Sequence, residues 1–142
     1  PYVDRLIANI RAKTSGNMFP KGPRGAVKMA RSIKNNEAIA MLVDQKMNEG
    51  ISVPFFGVPA MTAPAIAQLA LRYDLPIIPA RVMRVKGAYF EATVYPPLAY
   101  EKTGDTENDT LVIMTEINRM LESWIRERPE QWFWVHKRWP NA

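Results

Sequence analysis

Leu42-Val43-Asp44-Gln45, followed after a short polar loop by Gly50-Ile51-Ser52-Val53-Pro54-Phe55-Phe56-Gly57-Val58-Pro59-Ala60-Met61-Thr62, decides how this chain is read. The run from Glu37 to Asp44 (EAIAMLVD) is the pattern of a short buried strand that ends in an acid and an amide. A Pro/Gly/Phe-rich bend follows and opens into a helix signal beginning near Thr62. Open α/β sheets bind ligands outside the carboxyl ends of their strands, which makes Asp44 and Gln45 candidate site residues. A carboxylate there can hold a basic residue in place or accept a hydrogen bond from a substrate hydroxyl. It can equally do no more than start a turn, since strand ends in any α/β fold carry polar residues.

Working outward, Val3, Leu6, Ile7 and Ile10 recur at helical spacing and predict a helix from Tyr2 to about Lys13. Gly16, Pro20, Gly22 and Pro23 mark a loop. Between Arg24 and about Asn35 the helical period returns, with Ala26, Met29, Ala30 and Ile33 on one face and Arg24, Lys28, Arg31 and Lys34 on the other. Ala63 to about Tyr73 predicts a core helix. Leu75 to Met83 reads as a strand with Pro76 at its entry, and Pro79 places it at an edge or bulge. Tyr89 to Tyr95 alternates as a strand, with a turn at Lys86-Gly87 before it. After a polar linker, Gly104 to Asn108, the longest helix runs from Thr110 to about Glu127. Its stripe is Ile113, Ile117, Met120, Leu121 and Trp124. Alternating strands and helices predict an α/β domain with a mixed sheet flanked by helices.

The 142 residues suit a single domain spanning 1–142, and 47% hydrophobic against 23% charged residues is a globular balance. No apolar run reaches the length of a membrane span. Cysteine is absent, which excludes disulfide and thiol chemistry, and the single histidine, His136, excludes a histidine metal cluster. Charge is uneven. Residues 1–36 hold eight basic residues against one acid, Asp4, whereas the remainder holds 11 basic against 13 acidic residues, for a net charge of +5. This asymmetry points to an anionic partner for the first third. Nucleic acid is a poor fit, because the aromatics concentrate in the tail and are not interleaved with the basic residues as a stacking groove requires.

The string DQ…G…VPFFGVPA.T closely resembles a signature of the lipid A biosynthesis lauroyl/myristoyl acyltransferases, within the lysophospholipid acyltransferase superfamily. Leu75-Pro76-Ile77-Ile78-Pro79 is similar to the apolar PIIPV strand of glycerolipid acyltransferases, and the tail Pro129-Glu130-Gln131-Trp132-Phe133-Trp134-Val135-His136-Lys137-Arg138-Trp139 is close to a family ending. The resemblance covers essentially all 142 residues and implies a lysophospholipid acyltransferase-like fold, truncated at its N-terminus. The family's catalytic histidine belongs to a His-x4-acid motif. Here the residue five positions after His136 is Asn141, so the resemblance implies that the catalytic pair and a membrane anchor lie upstream of Pro1. The tail aromatics are then expected to pack the terminal segment onto the core, with His136 in a local role.

The implied reaction moves a fatty acyl chain from an acyl-carrier-protein thioester to a hydroxyl of a lipid A precursor, at the cytoplasmic face of the bacterial inner membrane. The resemblance implies no metal and no organic cofactor. No catalytic residue falls in this chain, and residues 1–142 alone should be inactive. By resemblance, Arg11 corresponds to an arginine near the active site, although on its own it reads as a solvated helix residue. Asp44 and Gln45 would face the site, and Phe55, Phe56, Gly57 and Thr62 would shape the acyl or headgroup pocket. The basic face at 24–34 would attract an anionic membrane surface or the acidic carrier protein. Alternatives stay open: a glycerophospholipid or mannosylated glycolipid acceptor, or a non-catalytic basic binding module.

Overall fold

The computed structural model describes residues 2, 19–20, 22–134 and 137–139, so the helix expected from Tyr2 to Lys13 lies, apart from Tyr2 itself, outside the described residues, Arg11 included. The chain divides into two units, Pro1–Ala40 and Met41–Ala142. In the first, helix α1 runs Pro23–Lys34. Pro23 suits a first turn, where its missing N–H is not needed. The helix is closed by Asn36 in the left-handed region (φ 60°), with Glu37 N–H donating to Ser32 O at 2.9 Å and Asn36 N–H to Ile33 O at 2.9 Å. These are the two bonds of a Schellman closure. Arg24, Lys28, Arg31 and Lys34 are exposed, while Gly25 and Ser32 are buried and Met29, Ala30 and Ile33 are half-buried.

The second unit holds β1 (Lys46–Phe55), β2 (Val58–Thr62), α2 (Ala65–Tyr73), β3 (Ala80–Lys86), β4 (Tyr89–Val94), α3 (Thr106–Glu127) and a 3-10 turn at Pro129–Gln131. The class is α/β as expected. Its β-structure is two separate two-stranded antiparallel sheets, β1–β2 and β3–β4, and no parallel pairing occurs among the described residues.

Three boundaries differ from the sequence reading. Residues 37–43 form no strand, and Asp44 and Gln45 lie in a bend just before β1. An apolar run becomes a strand only when a neighbour takes up its backbone groups, and among the described residues pairing starts at Lys46 with Thr62. Val43 nevertheless packs against the core. Residues 51–62 are a hairpin and not a bend leading into a helix. Phe56 (φ 52°) and Gly57 (φ 76°) form the two-residue loop with positive φ at both positions that matches the twist of hairpin strands. The strand expected from Leu75 begins only at Ala80, because Pro76 and Pro79 have no N–H to donate. Isolated bonds still tie this segment down, from Tyr95 N–H to Pro79 O and Leu98 N–H to Ile77 O, each 2.9 Å.

The core forms where α3 and α2 pack on the β1–β2 hairpin. Val53, Ala67, Ala70, Ile77, Ile113, Met114 and Ile117 make one buried cluster, and Phe55, Ala60 and Ile125 a second; half-buried Leu121 packs against both, and Trp132 and Trp139 against the second. Removing a large apolar side chain of this kind from water is worth roughly 1.5–3 kcal/mol. Helix α3 starts at Asp105, whose carboxylate accepts the N–H of Asn108 at 3.1 Å, as an N-cap should.

Gly50 has a specific steric reason to be glycine. Lys46 and Ile51 both pair with Thr62, so residues 47–50 bulge outward. A Cβ on Gly50 would lie 2.2 Å from Thr62 O and 2.9 Å from Met47 O. Gly50→Ala must therefore displace backbone, and a loss of about 1–3 kcal/mol is expected. Thermal unfolding of the protein checks this; an unchanged melting temperature contradicts the close approach.

Candidate functional site

Asp44 is half-buried in the bend that leads into β1, and Gln45 beside it is exposed. Lys46, the next residue, pairs with Thr62 at the end of β2, which brings the two halves of the quoted sequence together. Thr62 is fully buried. Its hydroxyl donates to Ala60 O at 2.9 Å and accepts from Nη2 of Arg138 at 2.9 Å.

Arg138 is the centre of this arrangement. Only 1% of it is exposed. Nη1 donates to Met61 O at 2.5 Å, and the guanidinium sits 5.1 Å from the Phe55 ring centroid. Burial pushes its pKa below the ordinary arginine value, and the charge of Asp44 acts in the opposite direction. A buried cation without a counter-charge is costly. Asp44 is close enough for its charge to offset part of that cost, although the bonds that seat the guanidinium go to Met61 O and the Thr62 hydroxyl.

Phe55 is fully buried, stacked on Trp139 at 5.5 Å and edge-on to Trp132 at 5.6 Å. It is a core residue in this structure. Phe56 is half-buried at the turn, with its N–H donated to Glu122 Oε1 at 2.8 Å and the Arg126 guanidinium 4.7 Å from its ring. Gly57 is exposed, with open space where a Cβ would stand. The structure thus gathers Asp44, Phe55 and Thr62 around Arg138, while Gln45 and Gly57 face outward and Arg11 lies outside the described residues. An open depression of about 750 Å³ between β1, α2 and the start of α3 is lined by Ile51, Ser52, Gln68, Asp105, Glu107 and Leu111 among others, and by none of that group. Among the described residues no three His, Cys, Asp or Glu side chains come together as a metal site would require.

The amino-acid sequence matches the family of bacterial lipid A biosynthesis acyltransferases over residues 1–141. The chain belongs to that family. No curated protein matches it. The two small antiparallel sheets flanked by three helices are consistent with the lysophospholipid acyltransferase-like fold of this lipid A acyltransferase family.

Arg138 is the residue that sequence reasoning missed. It stands in a tail read for its aromatics and His136; of those aromatics Trp132 and Trp139 pack on Phe55 as expected, whereas Phe133 and Trp134 are exposed. The available signal was a cation between tryptophans, which a packed segment accommodates only when the charge has a destination. His136 lies outside the described residues.

Arg138→Met should cost about 1–3 kcal/mol, since it leaves the Met61 carbonyl without its donor. Arg138→Lys keeps the charge but not the planar pair of donors, and should recover only part of that loss. Chemical denaturation midpoints of the two variants test this ordering; equal and wild-type-like midpoints would remove Arg138 from its central place.

Proposed function

We propose that this chain forms part of an enzyme that transfers a fatty acyl chain from an acyl-carrier-protein thioester to a hydroxyl of a lipid A precursor. The observation that carries this reading is membership of the lipid A acyltransferase family over residues 1–141. Arg138 of the family-like tail, bonded to Thr62 of the family-like string and in the field of Asp44, supports it. In the reaction, the acceptor oxygen attacks the thioester carbonyl, its proton passes to a general base, and the tetrahedral intermediate collapses to expel the carrier thiolate, which is then protonated. The base and its orienting acid are proposed to be a histidine and an acid supplied from sequence N-terminal to Pro1, because no His-x4-acid pair occurs here.

In this reading Asp44, fixed by the field of Arg138, accepts a hydrogen bond from the acceptor lipid. Gln45 adds a second polar group, and Phe56 with Gly57 forms an apolar rim. Phe55 and Thr62 act from beneath, the first as packing and the second by seating Arg138. Arg11 joins the site on the strength of the resemblance alone. The exposed cations Arg24, Lys28, Arg31 and Lys34 on α1 would draw the protein to an anionic lipid surface or to its acidic donor. The family is typically membrane-associated. Among the described residues no helix is long and apolar enough to cross a membrane. The proposed place of work is the cytoplasmic face of the bacterial inner membrane.

The test is acyl transfer by the full-length protein, with acyl-carrier-protein donor and lipid A precursor, followed by mass analysis of the product. Asp44→Asn should lower kcat/KM about ten- to a hundredfold, the kinetic equivalent of one charge-assisted hydrogen bond. Wild-type rates in that variant would remove Asp44 from the site. Acylation of a glycerophospholipid or a mannosylated glycolipid in place of the lipid A precursor would overturn the acceptor assignment. Residues 1–142 alone should show no turnover above a protein-free control.

A further inference from the structure

The β3–β4 hairpin has one face committed to the protein and one face open. On the committed face Arg81 bonds Glu127 at 2.6 Å and lies 5.6 Å from the Trp124 ring, while Tyr95, just past β4, stacks on Trp124 at 5.1 Å. The register places Ala80 opposite Val94, Val82 opposite Ala92 and Arg84 opposite Phe90 on the other face. Antiparallel sheets that face water on one side normally carry polar residues there. Here five of those six positions are apolar, and Val82, Val94 and Phe90 are 66%, 70% and 56% exposed.

Charge and chemistry narrow what covers this face. Its cation, Arg84, stacks 4.6 Å from the Phe90 ring. At the tip, Lys86 pairs with Tyr89, which is 78% exposed. The acid of the hairpin, Glu91, pairs with Met83, on the alternate positions that belong to the committed face. An apolar sheet face bordered by aromatics and cations, with no acid on it, has the composition of a protein surface seated in a lipid headgroup layer. The outer edge of β3 is blocked at Arg84, whose N–H donates to Gln131 Oε1 at 2.8 Å and whose carbonyl accepts from Gln131 Nε2 at 3.0 Å. A partner that adds a strand cannot pair there.

We propose that the open face of the β3–β4 hairpin seats in the interface of an anionic bilayer, with Val82, Val94 and Phe90 at the acyl boundary and Arg84 and Lys86 at the phosphates. The inference rests on the lipid-acyltransferase reading above. Its readout is binding without turnover, so it can fail while acyl transfer succeeds, and the reverse.

The experiment reconstitutes the full-length protein with phosphatidylglycerol-containing and with pure phosphatidylcholine vesicles and follows an environment-sensitive fluorophore on an introduced cysteine, Val94→Cys, which reports seating of the hairpin face whatever else holds the protein to the membrane. The double variant Arg84→Gln/Lys86→Gln should shift this seating equilibrium about thirtyfold toward water on the anionic vesicles, from roughly 1 kcal/mol for each cation near an anionic surface, with little change on neutral ones. Val82→Ser/Phe90→Ser, at exposed positions, should weaken seating on both. If that variant fails to fold, the charge variant still decides. Wild-type seating of the charge variant overturns the proposal. So does a change in oligomeric state with unchanged seating, which would assign the face to a second copy of the chain.

Discussion

A two-stranded sheet is all edge, and the β1–β2 hairpin has to satisfy outward-facing backbone groups in a buried setting. The pair that flanks its two-residue turn, Phe55 and Val58, exchanges hydrogen bonds, so the next pair, Pro54 and Pro59, does not. Prolines fit there because their missing N–H would have pointed away from the ladder. Their carbonyls still point outward. Asn118 of α3 donates to Pro54 O at 2.9 Å, Glu122 takes the turn's Phe56 N–H at 2.8 Å and Arg138 donates to Met61 O at 2.5 Å, while Trp139 adds a second donor to the already paired Phe55 O at 3.1 Å. Each such group left unmet would cost about 1–3 kcal/mol. The placement of α3 and of the tail follows from this requirement as much as from apolar packing.

That requirement explains which parts of the fold were legible in the sequence. The helices were, because their apolar stripes and terminators are local: the helix expected at Arg24–Asn35 is α1, and that at Thr110–Glu127 is the greater part of α3. The turn at Gly87 and the strand from Tyr89 were legible for the same reason. The β1–β2 hairpin was not. Two prolines and paired phenylalanines look like a loop until helix and tail side chains, 64 to 84 residues away, supply the missing partners. Periodicity carries no information about such distant donors. The run at 37–44 failed differently, since its apolar character was read correctly but strand formation depends on a neighbour.

The candidate site was half legible. Asp44 and Thr62 stand out in the string itself, and their proximity follows once Lys46 pairs with Thr62. Arg138, 76 residues beyond Thr62, was hidden among aromatics. Its position also recasts the string: Phe55 and Thr62 are core residues, whereas Asp44 and Phe56 are half-buried and Gln45 and Gly57 exposed. Strand alternation puts Val53 with Phe55 and Ala60 with Thr62 on the buried side, while Asp44, Gln45, Phe56 and Gly57 lie in the bend and the turn outside the strands.

The hydrogen bond from Arg138 to Met61 also sets an order of events. A ribosome makes residues 46–62 well before it makes Arg138 and Trp139, and it adds roughly 5–20 residues each second. For several seconds the nascent hairpin has its turn and strands but not the guanidinium and indole that complete its outer backbone. In that interval its carbonyls are met by water and its phenylalanines lack their tryptophan cover. The finished arrangement therefore forms only after Trp139 has been made, and until then the hairpin depends on water to complete its outer backbone.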